Sequence, residues 1–236
     1  MSAKKPVVVL GGWGSGQIVT SVIEDINRVE PTWEVLGYLN DIEKAGSKIG
    51  AYPVIGLTAE APDYARKGVY LHYAMRNAKF ARSRIKRFKE MILPPEAFAT
   101  FIHPNVQLSG NRGIGHGSLL CAQVNLSFGA RVGDHNHLYG NSFIGHDSEI
   151  QPYAWVANNS AVGARCLVKE GAHLGTNCSL REDVTIGAYA IVGIGAVVLN
   201  DVEDGAIVVG NPARVKGNVS QYKDDPSVVA GKNDGT

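Results

Sequence analysis

The chain has 236 residues, enough for one or two domains, and its 23 Lys and Arg nearly balance its 22 Asp and Glu. A net charge of +1 gives no bulk electrostatic attraction to nucleic acid or to a membrane surface. No apolar run approaches the length of a membrane span, and residues 7–10 are too short for a secretory signal, so we expect a cytoplasmic protein without membrane insertion. Three cysteines, an odd number, argue against a disulfide framework.

Residues 1–93 are predicted to form an α/β domain with a small parallel, Rossmann-like sheet. Residues 7–10 are predicted to form a buried strand, and residues 33–39 and 68–73 a second and a third strand. A helix is expected after the first strand, because apolar residues recur there on one helical face. That face comprises Ile18, Val19, Val22, Ile23 and Ile26.

Shorter elements fill the rest of this first region. Residues 53–55 are expected to form a short edge strand. Thr58 is predicted to cap a helix that ends at Arg66, and Asn77 to cap a basic helix that runs through Glu90. Residues 94–101 would then join this domain to the second one.

From Ile102 to Val198 every sixth residue is Ile, Leu or Val. A helix repeats every 3.6 residues and a strand every 2, so a period of six indicates a short strand and a turn, repeated. Small residues recur four places after the aliphatic ones, and three hexads would close one 18-residue turn of a triangular coil. This predicts a β-helix over residues 94–217, followed by a polar tail at 218–236. The aliphatic series is Ile102, Leu108, Ile114, Leu120, Leu126, Val132, Leu138, Ile144, Ile150, Val156, Val162, Val168, Leu174, Leu180, Ile186, Val192 and Val198.

The inward positions of the coil decide which residues can take part in chemistry. Cys166 and Cys178 fall on the small inward position, so they are interpreted as core residues. His146 and Asp147 fall at a turn, where the core cannot enclose them. A histidine beside a carboxylate can serve as a general base, because the ordinary pKa of imidazole lies near neutrality. The alternative is a solvated surface histidine.

Three further histidines, His116, His135 and His137, are also expected at turns and leave metal binding open as an alternative.

The glycine-rich turn after the first strand is a candidate anion site, since backbone N–H groups at a helix start bind phosphate. Gln17 stands where the strict dinucleotide fingerprint has its third glycine, so a plain tight turn is the alternative. Asn40 and Asp41 follow the second strand, where a polar side chain can reach a ribose or a base. The alternative for this pair is loop capping. The turn comprises Gly11, Gly12, Trp13, Gly14, Ser15 and Gly16.

These features together resemble the left-handed β-helix acyltransferases. More narrowly, they resemble the group of sialic acid O-acetyltransferases and nucleotide-amino-sugar N-acetyltransferases. The resemblance covers residues 6 to about 217. The motifs that carry it are the glycine-rich turn with Gln17, residues 37–41, 53–56 and 102–104, Asn141 with residues 144–147, and the ending at 208–214.

The resemblance implies a homotrimer that binds acetyl-CoA between adjacent coils and a nucleotide-linked amino sugar on its α/β domain, without a metal. His146 would remove a proton from the acceptor amine, Asp147 would orient it, and Asn141 would line the acceptor side. The amine would attack the thioester directly. The resemblance also implies that the nucleotide-linked sugar is bound by Gly12, Trp13, Gly14, Ser15, Gly16, Asn40 and Asp41. It implies that acetyl-CoA is bound by Trp155, Ala164, Ile194, Pro212 and Arg214.

Three departures from the family pattern concern the substrates. Ser15 stands where the glycine turn usually carries a histidine, and Asn40 with Asp41 replaces the usual acidic pair. Trp155 stands where a further histidine commonly lies near acetyl-CoA. The identity of the nucleotide and the sugar therefore stays open.

Three alternatives also stay open. The nearest is an O-acetyltransferase acting on a sialic-acid-like sugar. A metal hydratase of the γ-carbonic-anhydrase type shares the coil but lacks the α/β domain. A non-catalytic trimer that binds a sugar nucleotide is the third.

Overall fold

The computed structural model describes residues 3–110 and 113–222. Its first part is a five-stranded sheet with the order β3-β4-β2-β1-β5, parallel except for the β3–β4 hairpin. Three α-helices accompany the sheet, and the predicted α/β fold of this region is confirmed. The elements are β1 (Lys5–Leu10), α1 (Ser15–Val29), β2 (Trp33–Leu39), β3 (Lys48–Ile49), β4 (Tyr52–Gly56), α2 (Ala61–Arg66), β5 (Tyr70–Tyr73) and α3 (Ala81–Lys89).

Helix α1 packs on the sheet with most of its predicted apolar face. Val19, Val22 and Ile23 are buried, and Ile26 is partly buried against the same cluster. The prediction for Ile18 was wrong: it is 37% exposed. At 100° per residue Ile18 lies at the edge of the apolar stripe, so it turns away from the sheet.

Two predicted helix caps were wrong. Thr58 begins a 3-10 helix, Thr58–Glu60, and its hydroxyl donates a hydrogen bond to the Asp41 carboxylate at 2.5 Å instead of capping α2. The side chain of Asn77 accepts a bond from the Lys79 amide, and α3 begins only at Ala81. In both places a local polar interaction competes with capping, as short polar side chains commonly do.

The remaining chain forms the predicted coil. From β6 to β20 each two-residue strand ends on an aliphatic residue of the hexad series and pairs in parallel with the strand 18 residues away; His137, for example, lies between Leu119 and Trp155. After the series, β21 pairs in parallel with β19, and β22 pairs antiparallel with β21. The strands of the coil are β6 (Phe101–Ile102), β7 (Leu119–Leu120), β8 (Asn125–Leu126), β9 (Arg131–Val132), β10 (His137–Leu138), β11 (Phe143–Ile144), β12 (Glu149–Ile150), β13 (Trp155–Val156), β14 (Ala161–Val162), β15 (Leu167–Val168), β16 (His173–Leu174), β17 (Ser179–Leu180), β18 (Thr185–Ile186), β19 (Ile191–Val192), β20 (Val197–Val198), β21 (Ala206–Val209) and β22 (Arg214–Asn218).

These strands make three sheets, which are the three faces of a triangular prism. Face 1 contains β6, β7, β10, β13, β16, β19, β21 and β22. Face 2 contains β8, β11, β14, β17 and β20, and face 3 contains β9, β12, β15 and β18. The chain passes from face 1 to face 2 to face 3 in every turn. This is the predicted left-handed β-helix.

The interior of the prism is filled as the hexads predict. The aliphatic residues from Leu120 to Val198 are buried, whereas Ile102, Leu108 and Ile114 are partly buried where the coil begins. Cys166 and Cys178 are buried, and burial raises the pKa of both thiols, so their interpretation as core residues is confirmed. The stack closes without gaps because one large and one small side chain alternate on each inward side.

The α/β domain packs against face 1. Val7 and Val19 share a hydrophobic cluster with Phe101, Leu119 and Tyr139 of the coil. At the corner between faces 3 and 1, Arg76 donates to the carbonyl of Tyr153 at 2.9 Å and also to the carbonyl of His135. The two parts are therefore joined by apolar burial and by a buried guanidinium.

Residues 218–222 of the predicted tail lie at the end of β22 and in a 3-10 helix, Val219–Gln221; residues 223–236 are outside the described residues. The predicted domain boundaries stay predictions. Among the residues that the structure describes, no helix combines the length and the apolar character required to cross a membrane.

Candidate active site

His146 and Asp147 form a hydrogen-bonded pair at the corner between β11 and β12. The His146 Nδ1 and Asp147 Oδ2 atoms are 2.9 Å apart, and the two side chains are 51% and 58% exposed. Ile144 and Ser148 occupy the inward positions on either side, so the pair is directed outward. Because the carboxylate accepts the proton on Nδ1, the neutral ring has its lone pair on Nε2, where it can accept a proton.

The edge of the prism beside this pair is built from stacked corner residues. Asp147 has a φ of 57°, in the left-handed region, and its amide donates to the carbonyl of Phe128 at 3.1 Å. Gly129 lies one layer below Asp147, and a Cβ there would come within 2.2 Å of Asp147 Oδ1. The glycine therefore leaves the space that the carboxylate occupies.

Above Asp147 the same edge carries an ion pair that the sequence interpretation missed. Arg165 Nε and Nη2 donate to the two Asp183 oxygens at 2.6 and 2.8 Å. This bond lowers the pKa of Asp183 and raises that of Arg165. The signal was present in the sequence, since residues 147, 165 and 183 alternate in charge at the 18-residue period.

The glycine-rich turn is tightly packed at the end of β1. A Cβ on Gly12 would come within 2.5 Å of Asn40 Nδ2, and one on Gly16 within 3.1 Å of the Tyr38 ring. The Gly14 amide donates to Gln17 Oε1 at 3.2 Å, so one N–H of the predicted anion site is already used. Trp13 is exposed, and its Nε1 donates to Glu43 at 2.8 Å.

Asn40 and Asp41 have the loop-capping geometry that was the alternative for them. Asn40 donates to the Gly11 carbonyl at 3.1 Å and accepts from the amides of Ile42 and Glu43 at 2.8 and 2.7 Å. Asp41 accepts from the Thr58 amide and hydroxyl. Nucleotide binding by this pair stays a prediction.

Ser15 and Trp155, two of the residues that differ from the pattern described above, both lie next to Tyr139. Its ring stacks on Trp155 with centroids 5.0 Å apart. Its buried hydroxyl makes no hydrogen bond of standard geometry; burial raises its pKa to about 12, and the nearby Ser15 side chain opposes the rise. Ser15 begins α1, so the glycine-rich turn lies beside face 1 of the coil.

Face 1 and the His146 corner lie on opposite sides of the prism. His146 is at the corner between faces 2 and 3, and in a triangular cross-section that corner is opposite face 1. A single chain therefore does not bring the glycine-rich turn to His146.

The other predicted site residues lie on two edges and at one end. Asn141, at the corner of faces 1 and 2, donates to Asn159 at 2.8 Å, and the exposed Ile194 lies on the same edge three turns later. Ala164 lies one layer above His146. Pro212 and Arg214 are exposed around Ala213, whose amide donates to the Val197 carbonyl at 2.8 Å, at the end of the coil.

The prediction that His137 lies at a turn was wrong, because it is in strand β10 and is buried. Its Nε2 is 3.2 Å from Nε2 of His72, a histidine that the sequence interpretation did not single out. Burial lowers the pKa of His72 to about 4 and that of His135 to about 3. The rings of His135 and Tyr153 are stacked, with centroids 5.0 Å apart. His135 and His137 therefore contribute to the packing between the two domains.

His116 is exposed at a corner. Across residues 3–110 and 113–222, no group of three or more His, Cys, Asp or Glu side chains is arranged to hold a metal ion.

No protein-family model matches the chain. Over 85 residues, 36% of this chain and 33% of the relative, it is 33% identical to the acyl-[acyl-carrier-protein]–UDP-N-acetylglucosamine O-acyltransferase of Ectopseudomonas mendocina. Over 57 residues, 24% of this chain and 30% of the relative, it is 46% identical to the dTDP-3-amino-3,6-dideoxy-alpha-D-galactopyranose 3-N-acetyltransferase of Aneurinibacillus thermoaerophilus. The chain thus spans about a third of the length of these curated relatives.

Two solved structures are similar over most of both chains. The acetyltransferase domain of PglB from Neisseria gonorrhoeae, in complex with acetyl coenzyme A, has a TM-score of 0.78 at 22% identity, covering 91% of this chain and all of that one (100%). A mutant perosamine N-acetyltransferase from Caulobacter crescentus, in complex with CoA and GDP-perosamine, has a TM-score of 0.75 at 26% identity, covering 92% and 99%.

Its hexad coil and these matches make the chain similar to hexapeptide-repeat acyltransferases, in agreement with the predicted resemblance. Its fold is an α/β domain followed by a left-handed β-helix, like that of the PglB acetyltransferase domain.

Proposed function

We propose that this protein is an acetyl-CoA-dependent N-acetyltransferase that acetylates the amino group of a nucleotide-linked amino sugar. The observation that carries the proposal is the outward-facing His146–Asp147 pair, whose carboxylate holds Nδ1 and leaves Nε2 free. The similarity over 92% of the chain to a perosamine N-acetyltransferase bound to CoA and GDP-perosamine supports the donor and the class of acceptor. Both substrates are cytoplasmic metabolites, which supports a cytoplasmic location.

The chemistry follows from this pair. His146 Nε2 removes a proton from the acceptor amine as the amine nitrogen attacks the thioester carbonyl, and Asp147 stabilises the imidazolium that forms. The tetrahedral oxyanion collapses to the amide and expels the CoA thiolate, which takes up the proton held by the His146 imidazolium and so regenerates the neutral base. Among the described residues no serine or cysteine side chain bonds to His146, which supports direct attack without an acyl-enzyme.

The complete site requires a second copy of the chain. The glycine-rich turn lies beside face 1, and His146 lies at the opposite corner, so we propose that adjacent chains of a homotrimer bring the two halves together. The predicted acetyl-CoA residues also divide between different edges of one prism, as expected for a ligand held between two prisms.

Mixed trimers test the composite site. His146→Ala and Gly12→Val remove different halves of it, so each variant alone is expected to be inactive. Random assembly of equal amounts should restore about one quarter of the sites, because one site in four receives both intact halves. Recovery of no activity, together with a monomer in sedimentation experiments, would contradict a site between chains.

Thiol release from acetyl-CoA, measured with a panel of UDP-, dTDP-, GDP- and CMP-linked amino sugars and their hydroxyl counterparts, tests the activity. Wild type should turn over at least one amino sugar, and His146→Ala should lose most of that rate. His116→Ala, which removes another exposed histidine, is the matched control and should retain it. Turnover of hydroxyl acceptors alone would overturn the amide proposal in favour of O-acetylation.

A further inference from the structure

The edge of the prism that carries the base continues upward as a column of charged corner residues. Asp147, Arg165 and Asp183 are spaced 18 residues apart and have φ values of 57°, 53° and 59°. Backbone bonds tie the layers together, from the Arg165 amide to the His146 carbonyl at 2.8 Å and from the Asp183 amide to the Ala164 carbonyl at 3.0 Å. The three side chains therefore project from successive layers about 4.8 Å apart.

Arg165 lies between two carboxylates and binds one of them. Both of its hydrogen bonds go to Asp183, at 2.6 and 2.8 Å, whereas Asp147 accepts from His146 at 2.9 Å. The bidentate geometry explains this choice, since a guanidinium fork matched to both carboxylate oxygens is the strongest form of such a pair. Asp147, one layer below, also attracts Arg165, but less strongly than Asp183 and Glu182 do. The other charged groups near this column are Arg181 and Glu182.

We propose that Asp183 is a positioning residue for the base: by holding Arg165, it keeps the Asp147 carboxylate available to His146. Asp183 itself makes no hydrogen bond to His146 and acts through Arg165. This inference rests on the proposed function for its catalytic consequence.

The loss of Asp183 has a definite physical consequence. Without its partner, the Arg165 guanidinium is left with the two other carboxylates that attract it, Glu182 and Asp147. Asp147 is the corner residue of the same column one layer below, and in the proposal the guanidinium turns to it. The carboxylate oxygens then accept from the guanidinium, and the His146 Nδ1 proton loses its partner. The imidazole loses its fixed orientation and its tautomer, so Nε2 no longer presents a lone pair to the amine in a fixed position.

Four proteins test this kinetically: wild type, Asp183→Asn, Arg165→Gln and the double variant, assayed with acetyl-CoA and the best acceptor of the panel. Asp183→Asn should lower kcat by about 10- to 100-fold with little change in KM, as expected when a group that orients a catalytic histidine is disturbed. Arg165→Gln should keep kcat within about threefold of wild type, because no competitor for Asp147 remains. The double variant should recover most of the loss.

A merely structural ion pair gives a different pattern, in which the double variant is at least as impaired as either single one. The matched control is the ion pair of Arg131 with Glu149 on face 3, at 2.9 Å. Arg131→Gln and Glu149→Gln remove an exposed pair of the same kind and should leave kcat unchanged. Thermal unfolding of every variant checks that the coil is intact.

A spectroscopic measurement separates failure of this inference from failure of the proposed function. The ¹⁵N chemical shifts of the His146 ring report its tautomer without any turnover. Wild type should show the proton on Nδ1, Asp183→Asn a mixture, and the double variant the wild-type state. If wild type acetylates nothing but the tautomer changes in this way, the proposed function fails and the positioning role stands. If the tautomer is the same in all four proteins, or if the double variant does not recover, the positioning role is overturned.

Discussion

The indole of Trp155 stacks face to face on the phenol ring of Tyr139, with an interplanar angle of 16°. Trp155 also contacts His173 at 5.2 Å on the next layer, and its buried Nε1 makes no hydrogen bond. Trp155 therefore packs in the apolar contact between the coil and the α/β domain. Trp155 also lies near Ser15 at the end of the glycine-rich turn. Whether it affects substrate binding can therefore be measured directly.

Replacing Trp155 separates these two roles. Trp155→His introduces the histidine that the resemblance leads one to expect there; it removes much of the stacked surface and should cost about 2 to 4 kcal/mol in the free energy of unfolding. Trp155→Phe should cost less, because most of the apolar contact remains. Urea unfolding measures both, and Trp13→Phe, at an exposed tryptophan, is the control with a change below about 0.5 kcal/mol.

Packing alone predicts that neither Trp155 variant changes the KM for acetyl-CoA. A change in that KM for Trp155→His, with stability restored by lower temperature, would show that the indole contributes to the donor site.

Acidification should destabilise the contact between the α/β domain and the coil. Burial lowers the pKa of His72 and His173 to about 4 and that of His135 to about 3, so in the folded protein these rings resist protonation. Below pH 6.5 the unfolded chain binds more protons than the folded chain, so the free energy of unfolding should decrease as pH falls from about 6.5 toward 4. Above about pH 7 this contribution should be constant.

Urea unfolding at pH 7.5, 6, 5 and 4.5 measures this slope. His72→Phe should have a shallower slope than wild type, whereas His116→Ala, at an exposed histidine, should not. An unfolding free energy that stays level from pH 7.5 to 4.5 would contradict the prediction.

Gly129 should be required for the position of Asp147. Gly129→Ala places a Cβ within 2.2 Å of Asp147 Oδ1, and it also forces an alanine into a left-handed φ of 72°, which strains the backbone. Gly68→Ala is the control: it introduces the same backbone strain, at a φ of 77°, but its Cβ would have no neighbouring atom within 4 Å. Both variants should lose about 1 kcal/mol of stability, but only Gly129→Ala should lose the proposed acetylation activity, by about tenfold or more. Equal activity of the two variants would show that Asp147 tolerates the displacement.

The hexad interior should be sensitive to lost volume in every layer. Ile150→Ala removes buried methyl groups from a stack in which each aliphatic residue contacts the layers above and below, and should cost about 3 kcal/mol. Val29→Ala, at an exposed position near the end of α1, should cost less than about 0.5 kcal/mol. Guanidinium unfolding of both variants tests whether the coil unfolds as one cooperative unit.

The sequence by itself determined the coil, because its rules are local and repeated. The aliphatic and small residues of each hexad specify the interior, the 18-residue spacing specifies which strands pair, and both together place His146 and Asp147 outside. The same reasoning identified Cys166 and Cys178 as core residues. The columns at the corners also follow from this period, so the Arg165–Asp183 pair was readable from the spacing of opposite charges.

Only the tertiary structure decided what the outward positions do. His137 and Trp155 are outward residues of face 1, and no periodicity shows that the α/β domain covers them. The polar groups of Asn40 and Asp41 are bound by neighbouring backbone and by Thr58, contacts that depend on how distant segments meet. The separation of the glycine-rich turn from His146 also appeared only in three dimensions. The physical reason is that repeats fix neighbours in the stack, whereas the docking of one domain on another depends on the particular shapes of side chains that obey no repeat.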